Sequence, residues 1–589
     1  MKLKFKSGFI LAGMPWAILL GILFIWFAFA GDYILFFQEK SSLFITSGEY
    51  FNEKFWQPGG FLVCLSGLLT SLYFYPVPGS LVISGTIALI SYLTYRSIFL
   101  MTGKSERFYP AIIFLMLFLI NTWYTFFLIN TLGLLLQVLA FMLLMKTRNF
   151  FSGWLFVIIA PVWYFLTGGF CWILIFMYTM QMLLSGKGSL LKVTLAWIAL
   201  LMSWFIFYKF IFFDSLLNLM FQPLTLQVKG PTGILFLMII ILMIFLPLVA
   251  RIRIPLPGLR DMGDTSKKII GYALMFGLIV MACVFKYDKK MKQYCTVEKL
   301  FYERKFNDII AYNLKNPSTN SLTLFYNNIA LAEEGELNDM MFSFHQSNDG
   351  RTLFLKWEMV TEILKRGGYF YYTTGMINEA NRWAFENMVM TGHTPEGLTM
   401  LIKTELIGGK YAMASKYISL LKKTIFYRRE AVRFEKFLFN DAAVESDKEL
   451  GAKRRTRLKP DFFTITDDPF INVERINITD SLNRKAFEYF IAYLLLKKDY
   501  NNLSSSLSRF DELGYTRLPS HVEEAVLAIS TMNNGVNPYN GKLSISGKTA
   551  DRWTKFLTVF QQYGNNLQAA EPALRKQFGN TYWYWIFYR

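Results

Sequence analysis

Ile269-Ile270-Gly271-Tyr272-Ala273-Leu274-Met275-Phe276-Gly277-Leu278-Ile279-Val280-Met281-Ala282-Cys283-Val284-Phe285 is the last long apolar run of this chain. Lys286-Tyr287-Asp288-Lys289-Lys290 follows it at once. Before Phe285, apolar runs of bilayer-crossing length succeed one another with short basic links. After it none occurs, and the chain reads as a helical protein with a polar surface. A span needs about 20 residues to cross roughly 30 Å of hydrocarbon. The reading of this run therefore divides the chain into a multispan half, 1–285, and a second half of about the same length.

Composition agrees. Of 589 residues 53% are hydrophobic and 17% aromatic, with mean hydropathy +0.32, high for a soluble protein of this length. The formal net charge is +19. Residues 1–285 carry 19 Lys/Arg against 8 Asp/Glu, and the remainder 42 against 34. The first excess is a topology signal. The second is mixed in sign, which suits a solvated surface and not a nucleic-acid face. The four cysteines form no CxxC or Cys/His cluster, so neither a zinc site nor a disulfide framework is indicated.

Nine spans are expected, near 8–30, 80–100, 110–128, 129–146, 153–167, 169–185, 190–212, 232–250 and 269–285. The first is read as uncleaved, because its apolar core is longer than a signal-peptide h-region of about 7–15 residues. A further run at 61–75, bracketed by Gln57-Pro58-Gly59-Gly60 and Pro76-Val77-Pro78-Gly79, decides the parity. If it lies on the outer surface, the inner links hold 15 basic residues and the outer links only Lys40, Lys54, Lys209 and Lys229. If it spans, every later basic link faces outward, against the positive-inside rule. The first choice places the N-terminus in the cytoplasm and the second half outside the cytoplasmic membrane. A tenth span with relaxed orientation is the alternative.

The second half reads as a stack of helical hairpins, with a first part at 286–440, a charged linker at 441–468 and a C-terminal part at 469–589. Asn316-Pro317-Ser318-Thr319-Asn320 separates two helical patterns. Gly409 to Tyr417 and Ile377 to Ala384 place small alanines where paired helices pack, in the manner of a tetratricopeptide hairpin, though the period near 34 residues is irregular. The expected fold is thus all-α, a polytopic membrane domain followed by a tetratricopeptide-like stack.

Common catalytic signatures are missing. There is no phosphate-cradling Gly-rich loop, no G-x-S-x-G and no H-E-x-x-H, and the three histidines are scattered through the second half. The expected spans hold no Asp or Glu, which argues against a proton-coupled transporter. Among the outer links, acids are concentrated in the loop 31–79, beginning Gly31-Asp32-Tyr33-Ile34-Leu35-Phe36-Phe37-Gln38-Glu39-Lys40, with Asp214 the exception. A carboxylate just beyond a helix end can reach the polar head of a lipid-linked substrate whose tail stays in the bilayer. For any single acid, simple solvation is the competing explanation.

This arrangement resembles the GT-C class of membrane glycosyltransferases. In those enzymes a first span leads into a long extracytoplasmic loop with an acid at the reaction centre, and the donor is a polyprenyl-phosphate sugar. The resemblance implies Asp32 and Glu39 as catalytic candidates. It implies Lys40, Lys54 and Lys229 as candidates for holding the donor phosphate, and a protein or glycan as acceptor. The loop has no adjacent pair of acids, so no divalent metal or other cofactor is assigned. Tyr326-Asn327-Asn328-Ile329-Ala330-Leu331-Ala332 and Met341-Phe342-Ser343-Phe344-His345-Gln346 make most of the chain similar to an uncharacterised family of bacterial membrane proteins, which implies the cytoplasmic (inner) membrane. The alternative function is a non-catalytic membrane-anchored scaffold whose repeats bind an envelope protein.

Overall fold

Every regular element in the described part of the computed structural model is helical. The structure describes residues 7–589 apart from 148, 186–189, 213, 225–229, 253–263, 359, 460–463, 466 and 565. Two compact units form. One comprises Met1–Asp288 with Lys423–Phe426, the other Lys289–Lys422 with Tyr427–Arg589.

The membrane unit begins with α1 (Ser7–Ile25), α2 (Asp32–Lys40), α3 (Gly48–Phe55), α4 (Gly60–Ser71), α5 (Pro76–Thr102), α6 (Phe108–Asn121) and α7 (Leu128–Lys146). Four stretches in the described residues are long and apolar enough to cross a bilayer: Pro76–Thr102, Leu128–Lys146, Phe156–Ser185 and Leu191–Phe210. A fifth arises if the bent pair Trp16–Ala30 and Asp32–Lys40 counts as one. The chain is therefore membrane-associated, but the expectation of nine full spans is corrected. Phe108–Asn121 and Pro231–Ile244 are apolar yet short. A helix of 14 residues rises about 21 Å, well under the roughly 30 Å of a hydrocarbon core. Hydropathy alone overcounted because it sees an apolar run and not where the helix inside it stops.

The stretch Phe156–Ser185 does not run straight. Gly168 has φ +59, in the left-handed region. Beyond it the rings of Phe156 and Tyr178 lie 4.1 Å apart, and the Cys171 thiol is 3.7 Å from the carbonyl of Ala160. A straight helix would separate Phe156 from Tyr178 by about 33 Å. The chain thus doubles back at Gly168–Phe170 into two packed arms.

Several hydroxyls inside this unit are satisfied by carbonyls of their own helix, as a site without water favours. On α5 the hydroxyls of Ser80, Ser84 and Thr94 donate to the carbonyls of Pro76, Ser80 and Ile90 on their own helix at 2.6, 2.5 and 2.8 Å. Ser91 donates to Pro110 at 2.6 Å and so fastens α5 to α6. These small residues also let α1, α6 and α7 approach α5 closely. Trp26 Nε1 donates to the carbonyl of Cys283 at 3.0 Å, which joins the first and last long helical segments of the unit. Lys423–Phe426 belongs here too. The amide of Thr46 donates to the Lys423 carbonyl at 2.8 Å, and the Phe426 ring stacks on Phe74 at 5.1 Å.

In the second unit, Thr361–Thr374, Ile377–Thr391, Pro395–Gly408, Tyr411–Lys422 and Arg428–Glu435 each pack on the next helix in sequence. The segment expected to be a charged linker, 441–468, is largely structured where it is described. It holds helices Asp441–Ser446 and Leu450–Arg455. Lys453 is buried against Glu333 at 2.7 Å, and Arg454 donates to the Leu406 carbonyl at 2.7 Å. A run of charges reads as linker in a sequence; here Lys453 meets a buried acid and Arg454 caps a neighbouring helix.

Candidate functional site

The acids expected in an open loop lie instead on α2. After α1 a π-helical turn, Trp26–Ala30, ends at Gly31, and α2 leaves at 69° to the preceding helix. Gly31 is needed at this corner, because a Cβ there would sit 2.5 Å from the Trp26 ring. Asp32 opens α2, where a negative charge meets the exposed amides of a helix start. The remaining apolar residues of α2 pack inward: Tyr33, Ile34, Leu35 and Phe37 are buried, and Phe37 meets Tyr124 edge-on at 4.7 Å.

The last turn of α2 carries Gln38, Glu39 and Lys40, all buried. Glu39 and Lys40 carry opposite charges 3.9 Å apart. Gln38 Nε2 donates to the carbonyl of Phe126 at 2.9 Å, which docks the end of α2 on the turn between α6 and α7. Gln38 Oε1 is buried with no hydrogen-bond partner in the described residues. Gln38 was not singled out by sequence. The only signal was a polar residue inside an otherwise apolar helix.

Two of the five expected site residues are brought together, Glu39 and Lys40. Asp32 is half-buried and stands seven residues from Glu39 on one helix, about 10 Å along the axis, too far to share an ion with it. Lys54 lies on α3, half-buried, and pairs with Glu53 at 2.9 Å. Helix α3 packs on α4, whereas α2 packs mainly on the turn Leu72–Phe74 and on α5, with a smaller contact to α4. Lys229 lies outside the described residues. Among the described residues no group of three His, Cys, Asp or Glu side chains comes together. The 31–79 segment is thus a set of three short helices and a tight turn rather than an open loop.

A second charged centre lies in the other unit and was not expected at all. Arg366, fully buried, faces Glu298 at 2.8 Å and Glu362 at 2.5 Å. The same Glu298 oxygen accepts hydroxyls from Tyr294, Tyr302 and Tyr326 at 3.0, 2.8 and 3.1 Å. Burial alone would raise the Glu298 carboxyl. The Arg366 and Lys365 cations and the tyrosine hydroxyls outweigh it and hold the group well below the usual carboxylate range. Glu298 Oε2 and Arg366 Nε have no hydrogen-bond partner in the described residues. The arrangement is a buried charge centre, with Arg366 and Glu298 both almost wholly shielded from solvent.

The fold and these two centres define an all-helical, membrane-associated protein with a buried carboxylate–lysine pair at the far end of the helix that follows a break. The chain belongs to a family of unknown function, DUF6057, which matches residues 7–589. Comparison with curated proteins and with solved structures returns no match.

Proposed function

We propose that the protein is a membrane glycosyltransferase that takes a sugar from a polyprenyl-phosphate donor and passes it to an extracytoplasmic protein or glycan. The observation that carries this reading is the 69° break that turns α2, with buried Glu39 and Lys40, away from the preceding helix. In this reading the carboxylate meets a lipid-linked head group at the end of a span. Glu39 takes the proton of an acceptor hydroxyl as the acceptor oxygen bonds to the anomeric carbon. The bond from that carbon to the donor phosphate breaks, and the phosphate leaves with the electron pair. Lys40, with Lys54 or Lys229, holds the leaving phosphate, and Asp32 acts as an electrostatic anchor.

Glu39→Gln keeps the shape of the side chain and removes the base. It is expected to lower sugar transfer by about 10²–10⁴-fold at normal expression. The measurement is the glycan profile of cells carrying the variant, and an unchanged profile sinks the reading. The proposal also places the N-terminus in the cytoplasm and the second unit outside a bacterial inner membrane. The distribution of basic residues supports this. Reporter fusions at Ser105 and Asn540 test it, with Ser105 expected inside and Asn540 outside.

One observation favours the scaffold alternative. Phe385, Val389 and Met390 form an exposed apolar patch on the helix Ile377–Thr391, within the series of helices that pack in sequence. A tetratricopeptide-like stack would offer such a patch to an envelope partner. Loss of partner capture in Val389→Asp, with Glu39→Gln silent, would select this reading.

A further inference from the structure

The second unit contains a cleft of about 170 Å³ between the segment Phe342–Gln346 and the last two helices, Leu567–Phe578 and Tyr582–Tyr588. Four polar side chains line it without any hydrogen bond or ion pair to a described residue: Ser343, His345, Arg575 and Arg589. Several other arginines of this unit are committed. Arg304, Arg366, Arg517 and Arg552 each hold an acid or amide acceptor at 2.7–2.8 Å. The carbonyls that end the last helix do not occupy the cleft cations either. Lys498 donates to those of Ile586 and Arg589, at 2.8 Å each. Glu571, one turn before Arg575 on the same helix, accepts the Tyr584 hydroxyl at 3.1 Å.

The floor is rigid. Phe342 packs on Trp585 at 5.3 Å and on His521 at 5.0 Å, and Trp585 Nε1 donates to the Leu496 carbonyl at 3.3 Å. The buried side chain of Gln346 is held by Asn328 and Thr352. Two exposed guanidinium groups over a fixed floor can receive an oxyanion, because each presents several N–H donors in a planar fork. The volume is below the roughly 300–1,000 Å³ of a drug-sized site, so one small unit or the end of a chain fits.

We propose that this cleft binds a single oxyanion-bearing unit, a carboxylate or phosphate on a body of about monosaccharide size. Arg575 and Arg589 hold the oxyanion, and Ser343 and His345 are further hydrogen-bonding groups. The site is independent of the Glu39 centre.

The test is calorimetric titration of the full-length protein in detergent with glucuronate, inorganic phosphate and glucose. Saturable binding of at least one oxyanion is expected, weakened by added salt, with none for glucose. A response to glucuronate alone assigns the site to an acidic sugar, and a response to phosphate assigns it to a phosphoryl group. Arg575→Ala and Arg589→Ala are each expected to weaken binding about tenfold. Arg575→Gln, which retains most of the side-chain length, must show the same loss at an unchanged unfolding temperature. The proposal is overturned if neither oxyanion binds, if glucose binds equally well, or if both alanine variants bind like the parent.

Discussion

Arg366→Leu is expected to destabilise the second unit by about 3–5 kcal/mol, a large part of the 5–15 kcal/mol that holds a typical domain folded. The cost is not the loss of an attraction alone. Glu298 would remain fully buried and charged, with three tyrosine hydroxyls arranged for an anion and no cation opposite. Urea unfolding of the full-length protein, followed by far-ultraviolet circular dichroism, measures the effect. A change below about 1 kcal/mol would refute the assignment. The double replacement Glu298→Leu with Arg366→Met is expected to recover much of the loss, since apolar residues can replace a buried pair at little cost.

The same centre sets an acid limit. The folded-state carboxyl of Glu298 is depressed below its unfolded value. Its stabilisation is therefore fully present above the ordinary carboxylate range. It is lost as pH falls below that range towards the depressed folded value. Glu449 acts in the same direction. Burial would raise it, but Lys403, Arg304 and the hydroxyl of Tyr372 bring it down to about 2. Stability measured from pH 7 downwards should fall below about pH 4–5, and the fall should be shallower in the Glu298/Arg366 double variant.

Gly168→Ala and Gly169→Ala are expected to abolish folding of the membrane unit or cost it more than about 4 kcal/mol each. At Gly168 a Cβ would lie 2.2 Å from the Gln222 carbonyl oxygen, on a backbone already at φ +59. At Gly169 it would lie 2.3 Å from the Phe221 carbonyl oxygen. Both obstacles are backbone, and the Gly169 amide donates to the Gln222 carbonyl at 2.7 Å, so neither strand can withdraw without losing that bond. The neighbouring Gly59 meets the same wall, 2.6 Å from the Pro223 ring. Gly85→Ala is the control, because a Cβ on α5 there meets nothing within 4 Å. Unfolding temperature and monodispersity in detergent distinguish the two classes. A Gly169→Ala protein as stable as Gly85→Ala would contradict the geometry.

The acids of 31–79 show where sequence reasoning succeeds and where it stops. Asp32, Glu39 and Lys40 stand out because charges are rare in an apolar half. Their setting was misjudged, since Gly31 and polar residues suggested a loop, while α2 is a helix whose apolar residues bury it. Gln38 and the Arg366–Glu298 pair were missed because contact between residues distant in sequence leaves no spacing to read. The span count failed for a related reason. Apolar composition extends through Phe108–Asn121 and beyond, but the helix ends where the chain turns to meet its neighbours.

By itself the sequence determined that the chain is helical, that its apolar residues end near Phe285 and that it belongs in a membrane. Those properties follow from the local composition of each segment, which sets the balance between hydrocarbon and water. Only the tertiary structure decided which apolar runs are long helices, which double back at Gly168, and which charges are buried in partnership. Those outcomes depend on contacts such as Gly169 with Gln222, Gln38 with Phe126 and Arg366 with Glu298, whose energies exist only once distant segments meet.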